Sequence, residues 1–193
     1  MLLTEVAPAA ANPVPLREMA AHLRLASGFS DDGSEDSLLE LYLRNATAVV
    51  ERQTAKALIS RSFVLQVVCW NRSGHLRLPV GPVSAIESFE LVRPGSTIAL
   101  TSDEWVLEPG QSRQRVTGPS GGALRPLPHG GLATLTLTAG FGSSWNDVPD
   151  DLRQAVLLLA THYYENRSGD LGLDNGLPFG VGPILERYQP MRL

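Results

Sequence analysis

The chain is predicted to fold as an α+β protein, a helical domain built from N- and C-terminal helices with an inserted antiparallel β module. Three observations predict this. Hydrophobic periodicity is helical up to residue 58, changes to a period of two from Ile59, and turns helical again after Gly142. The 18 Gly and 14 Pro imply many turns, and turn signals recur at short intervals through the middle of the chain. The late helical segment is apolar nearly all round, so it needs the earlier helices as packing partners.

Residues 1–15 are rich in Ala and Pro (Val6-Ala7-Pro8 to Pro13-Val14-Pro15) and read as an extended N-terminal arm. Residues 16–58 form the first half of the helical part. Pro15 suits the first turn of a helix over Leu16–Leu25, with Leu16, Met19, Ala20 and Leu23 on one face. Ser34 can cap a long second helix from Glu35 to about Ala57, and Glu35 and Asp36 complement its positive end. Leu38, Leu39, Tyr42, Leu43, Ala46, Val49 and Val50 recur in it at helical spacing.

Residues 59–142 form the inserted β module. Phe63, Leu65, Val67 and Cys69 alternate with Val64, Gln66, Val68 and Trp70, and the apolar character of both sets predicts a strand buried on two sides, with Cys69 as a small buried hydrophobe. Shorter strands are predicted at Leu76–Leu78, Val83–Val92, Trp105–Leu107, Arg115–Thr117 and Ala133–Ala139, six or seven in all. Residues 143–167 supply the second half of the helical part. Val148-Pro149-Asp150-Asp151 starts a helix that runs to about Asn166. Residues 168–193 are a Gly-rich loop and a C-terminal docking segment, with one helical turn at Pro183–Tyr188.

Bulk properties narrow the function. A chain of 193 residues buries roughly 70% of its unfolded surface and needs no disulfide or metal to stay folded. A net charge of −4 and a single lysine, Lys56, argue against tight non-specific nucleic-acid binding, which needs cations enough to displace phosphate counterions. Cys69 is the only cysteine, so no intrachain disulfide forms. The start of the chain lacks a signal-peptide pattern, and the longest apolar run, Ala155–Ala160, is far short of the roughly 20 residues of a membrane span. The expectation is a soluble protein that is intracellular when made.

The chemistry search returns no catalytic, cofactor-binding or metal residues. His22, His75, His129 and His162 sit in no metal-ligand spacing; His162 and Glu165 share a helix face, a pattern more often a surface pair than a ligand set. No nucleophile elbow, phosphate-binding loop or calcium loop is present. One enzymatic or carbohydrate-binding alternative stays open in the β module, around Trp70, His75, Trp105 and His129. The apolar Leu177–Leu185 stretch suits either a segment that orders on a partner or a tail that wraps its own domain.

Several landmarks coincide in order. They include Leu16-Arg17-Glu18-Met19-Ala20-Ala21-His22-Leu23-Arg24, Leu76-Arg77-Leu78-Pro79-Val80-Gly81-Pro82-Val83, and Leu137-Thr138-Ala139-Gly140-Phe141-Gly142. Val148-Pro149-Asp150-Asp151-Leu152-Arg153, Tyr163-Tyr164-Glu165-Asn166-Arg167 and Leu177-Pro178-Phe179-Gly180-Val181 follow. From about residue 14 to 193 this order resembles the head–tail connector (adaptor) proteins of long-tailed phages and phage-derived gene transfer agents.

The resemblance implies a structural virion protein of the neck between head and tail, made in the host cytoplasm, and not an enzyme. It implies a homo-oligomeric, dodecameric ring with the portal protein on one side and the next tail-side connector or stopper protein on the other. DNA would thread the lumen without sequence-specific binding, and no membrane is involved. Together with the exposed-tail argument it makes Leu177, Phe179, Ile184, Leu185, Tyr188 and Arg192 candidate portal contacts. Leu39, Leu43, Val50, Arg153 and Tyr164 become candidate subunit contacts. Another virion ring, a stopper or a tail terminator, would share this interaction chemistry.

Overall fold

The computed structural model describes residues 1–6, 14–23, 36–110, 113–166 and 177–189. The Gly-rich stretch 168–176, the expected cap Ser34 and the candidate contact Arg192 lie outside them. The chain divides into a β unit (residues 1–8, 60–141 and 190–193) and a helical unit (residues 9–59 and 142–189).

The helical unit contains α1 (Leu16–His22), α2 (Asp36–Thr54), α3 (Asp150–Glu165) and the short α4 (Val181–Glu186). In α2 the buried residues Leu39, Leu43, Ala46, Val50 and Thr54 recur every three to four positions, which makes one continuous stripe. That stripe meets Leu152, Ala155, Val156, Leu159 and Ala160 of α3. Met19 of α1 and Val181 and Leu185 of α4 complete the core, all fully buried.

The long helix stops three residues short of the expected Ala57, for a local reason. The Thr54 hydroxyl bonds back to the Val50 carbonyl (2.8 Å) and accepts from the Lys56 N–H (3.2 Å). Ala55 then turns left-handed, with φ 55°, and the Glu51 carboxylate accepts the Leu58 N–H at 2.7 Å. This is a helix-ending conformation that glycine normally supplies.

The β unit carries eight strands: β1 (Leu2–Glu5), β2 (Arg61–Val67), β3 (Leu76–Arg77), β4 (Val83–Arg93), β5 (Ser96–Ala99), β6 (Val106–Glu108), β7 (Arg115–Thr117) and β8 (Leu132–Ala139). Five form an antiparallel sheet in the order β1-β2-β8-β4-β5; three form a second antiparallel sheet, β3-β7-β6. Strict alternation in β8 buries Ala133, Leu135, Leu137 and Ala139 and turns Thr134, Thr136 and Thr138 to the other face. Phe63, Leu65, Phe89 and Leu91 join the buried row.

Gln114, just before β7, links the small sheet to the start of β4. Its side-chain amide donates to the Val83 carbonyl at 2.8 Å, and its side-chain oxygen accepts the Val83 N–H.

Three expectations are corrected here. Residues 2–5, expected as part of an extended arm, are a strand of the larger sheet, because Leu3 and its neighbours pair with Phe63–Gln66 of β2. The first strand of the module is buried on one face only: Phe63, Leu65 and Val67 are buried, whereas Gln66 and Val68 are exposed. Cys69 is exposed, because β2 ends at Val67 and the chain leaves the sheet before reaching it.

Candidate assembly surface

The C-terminal segment is anchored before it is offered. Val181 and Leu185 of α4 enter the helical core, and two polar side chains at the end of α4 converge on Asp151 in the first turn of α3. The Tyr188 hydroxyl donates to Asp151 Oδ1 at 2.7 Å and the Arg187 guanidinium to Oδ2 at 3.1 Å. Burial, first, and the adjoining Asp151 carboxylate hold the Tyr188 phenol protonated well beyond its usual range, pushing its pKa up to about 12.

Just ahead of this anchor the chain makes a tight turn, with the Val181 N–H donating to the Pro178 carbonyl at 3.1 Å. Gly180 sits at φ 87°, a conformation a side chain would strain. The turn leaves Phe179 with its side chain wholly in solvent (103% exposed) and Leu177 exposed beside it in sequence.

The candidate contacts therefore separate. Leu177 and Phe179 are exposed, and Ile184 and Tyr188 are half-buried. Leu185 is fully buried, so its place among the surface contacts is corrected: it belongs to the core that holds α4 down. The same correction applies to Leu39, Leu43 and Val50, which form the inward stripe of α2, since apolar periodicity marks a buried face without saying what covers it. Arg153 stays partly exposed, donating to Asn146 Oδ1 at 3.2 Å and pairing with Asp150. Tyr164 stands edge-on to Tyr42, ring centroids 6.4 Å apart, across the α2–α3 seam.

The start of α3 is fixed from two sides. Asp147 accepts both the N–H (2.8 Å) and the hydroxyl (3.0 Å) of Ser144, bonds that hold its carboxyl below the usual carboxylate range. The Trp145 indole donates to Glu18 of α1 at 2.8 Å.

The β unit presents a second exposed apolar group that sequence reasoning missed. Met1, Leu2, Val6 and Val68 are each 58–65% exposed. Leu2 is opposite Gln66 in the register, so Val68, two residues beyond, leaves on the same face of the sheet. The pairing of residues 2–5 was the missing signal, since the four-residue run Leu2–Glu5 carries too little periodicity to announce a strand.

The aromatic residues of the β unit are packing groups. Trp70 stands edge-on to Phe89 (6.1 Å between centroids) and donates its indole N–H to the Arg125 carbonyl at 2.9 Å; Trp105 flanks the same Phe89 ring at 6.3 Å. Among the described residues no cluster of three His, Cys, Asp or Glu could hold a metal, and no helix is long and apolar enough to cross a membrane.

The chain is similar along its whole length to solved chains of gene transfer agent particles. One, from the neck of an empty gene transfer agent particle computed with six-fold symmetry, is 41% identical with a TM-score of 0.87. The chain belongs to the neck proteins of gene transfer agents and their phage relatives. A second match, from the virion of a native gene transfer agent particle, is 40% identical with a TM-score of 0.86. A third, from the neck of a native particle computed with twelve-fold symmetry, is 36% identical with a TM-score of 0.82. Each alignment covers 100% of this chain and 97% of the other. No protein-family model and no curated protein matches the sequence. As a neck protein the chain is a structural virion component and not an enzyme.

Proposed function

We propose that this neck protein is the head–tail connector, or adaptor, of its particle: a subunit of a twelve-copy ring that docks on the portal protein and receives the next tail-side protein beneath it. The observation that carries the reading is the end-to-end match to a chain of a neck computed with twelve-fold symmetry. A rotational ring needs two different surfaces on each copy, one complementary to the other. Arg153 and Tyr164 remain candidates for such a contact.

The portal side is the C-terminal segment. Phe179 and Leu177 insert into an apolar depression on the portal, with Ile184 and Tyr188 beside them in sequence. A buried aromatic anchor of this kind supplies much of the affinity of a small contact. The −4 net charge and single lysine suit a lumen through which DNA slides without sticking.

The test is capture of the purified chain by immobilised portal protein or by the tail-side protein, with Phe179→Ser alongside. The connector reading expects capture by portal and loss of most of it in F179S. Capture by the tail-side protein alone would make the chain a stopper or terminator.

A further inference from the structure

Among the described residues the larger sheet of the β unit ends in two unpaired edge strands, β1 and β5, and their hydrogen-bonding groups can be assigned. The Val6 N–H donates to the Ser62 carbonyl, so Val6, Thr4 and Leu2 direct their backbone groups toward β2. By antiparallel alternation Leu3 and Glu5 direct theirs away from the sheet. At the other end the Leu100 N–H donates to the Phe89 carbonyl, so Ile98 and Ser96 face β4 while Thr97 and Ala99 face outward. Each edge thus offers two N–H and two C=O groups at the same spacing.

Both edges are short, and the one charge on them, Glu5, is paired with Arg61 at 2.7 Å. There is no proline, no lysine and no bulge in Leu2–Glu5 or Ser96–Ala99, and the irregularities of β4 lie at Val83–Ser88, away from its pairing with β5. The exposed Met1, Leu2, Val6 and Val68 gather around the β1 edge. Four successive antiparallel pairings across five strands leave β1 and β5 running in the same direction.

Resting on the ring reading above, we infer that the β1 edge is a subunit contact, occupied by the β5 edge of the next copy in a parallel pairing. The ring selects the occupant, since it needs two different surfaces in contact, and the common direction of β1 and β5 makes their pairing parallel. Adding β5 of a second copy continues the sheet in the same sense and leaves a free edge at each end, so copies add head to tail, as a rotational ring requires. Pairing β1 with a second β1 would be antiparallel, two-fold and closed at two copies. Leu2, on the edge strand itself, then gains a side-chain neighbour on the incoming strand, whereas Val68 lies one strand further in and stays as it is.

Amide hydrogen exchange of the free chain and of the chain assembled on portal tests this. The Leu3, Glu5, Thr97 and Ala99 amides slow by about tenfold or more on assembly. Rings that form with these four amides unchanged overturn the pairing and leave the connector reading standing, whereas no ring at all refutes the connector reading itself. As a second measurement, Leu3→Pro and Thr97→Pro each remove an outward N–H without touching the sheet's own ladder. Both variants fold and fail to form rings; normal ring assembly by either folded variant contradicts the pairing.

Discussion

Tyr188 and Asp151 are 37 residues apart in sequence and joined by a 2.7 Å hydrogen bond, which fastens the end of the C-terminal segment to the first turn of α3. The C-terminal segment is therefore not a free tail up to Gln189. The phenol's pKa, raised to about 12 by burial first and by Asp151 second, exceeds the ordinary value of 10, so the stability linked to keeping it protonated is complete below pH 10. It is lost as the pH rises from 10 through about 12. Ultraviolet titration of the four tyrosines should show one late step near pH 12 that Tyr188→Phe removes.

Phe179 contacts solvent only, so Phe179→Ser should leave the thermal midpoint of the isolated chain unchanged while abolishing most portal binding. Leu185→Ser should do the reverse in kind, destabilising the fold by about 2–5 kcal/mol through a core cavity and a buried hydroxyl. Thermal unfolding of the two variants separates a surface anchor from a core residue.

Ala55 holds φ 55° at the end of α2, a conformation that costs a residue with a Cβ. Ala55→Gly should stabilise the chain by up to about 1 kcal/mol, offset in part by the greater freedom of glycine when unfolded. Denaturant unfolding measures it.

Gly142 lies against Asp147: a Cβ at residue 142 would come within 2.3 Å of the Asp147 Cβ. Gly142→Ala should push that side chain off Ser144 and cost about 1–3 kcal/mol. The loss should appear as a lowered thermal midpoint at neutral pH. Because the Ser144 bonds hold the Asp147 carboxyl below its ordinary range, their contribution in the parent chain is present above the ordinary carboxylate pKa and disappears as the pH falls through the lowered one.

The elements with strong local signals were legible in the sequence. The β8 alternation of Thr and Leu, the α2 stripe and the Pro149-Asp150-Asp151 helix start each announce themselves. β5 was signalled only by Pro94-Gly95, a two-residue connection with Gly95 at φ 77°, and its four residues are too few for a period to register. β1 depends wholly on pairing with residues some sixty positions away, which no local pattern reports. At the candidate surface the apolar stretch Leu177–Leu185 could be picked out as unusual, but composition could not separate exposed Phe179 from buried Leu185. That division comes from the α4 anchor on Asp151. The α2 candidates failed for the same reason, because a helical stripe predicts burial and leaves the covering partner unnamed.

The central claim is best tested by light scattering of the purified chain mixed with its portal ring. A connector should add the mass of twelve 20.8 kDa chains to each portal ring, and F179S should add little. A portal ring whose mass stays unchanged by the parent chain would contradict the account.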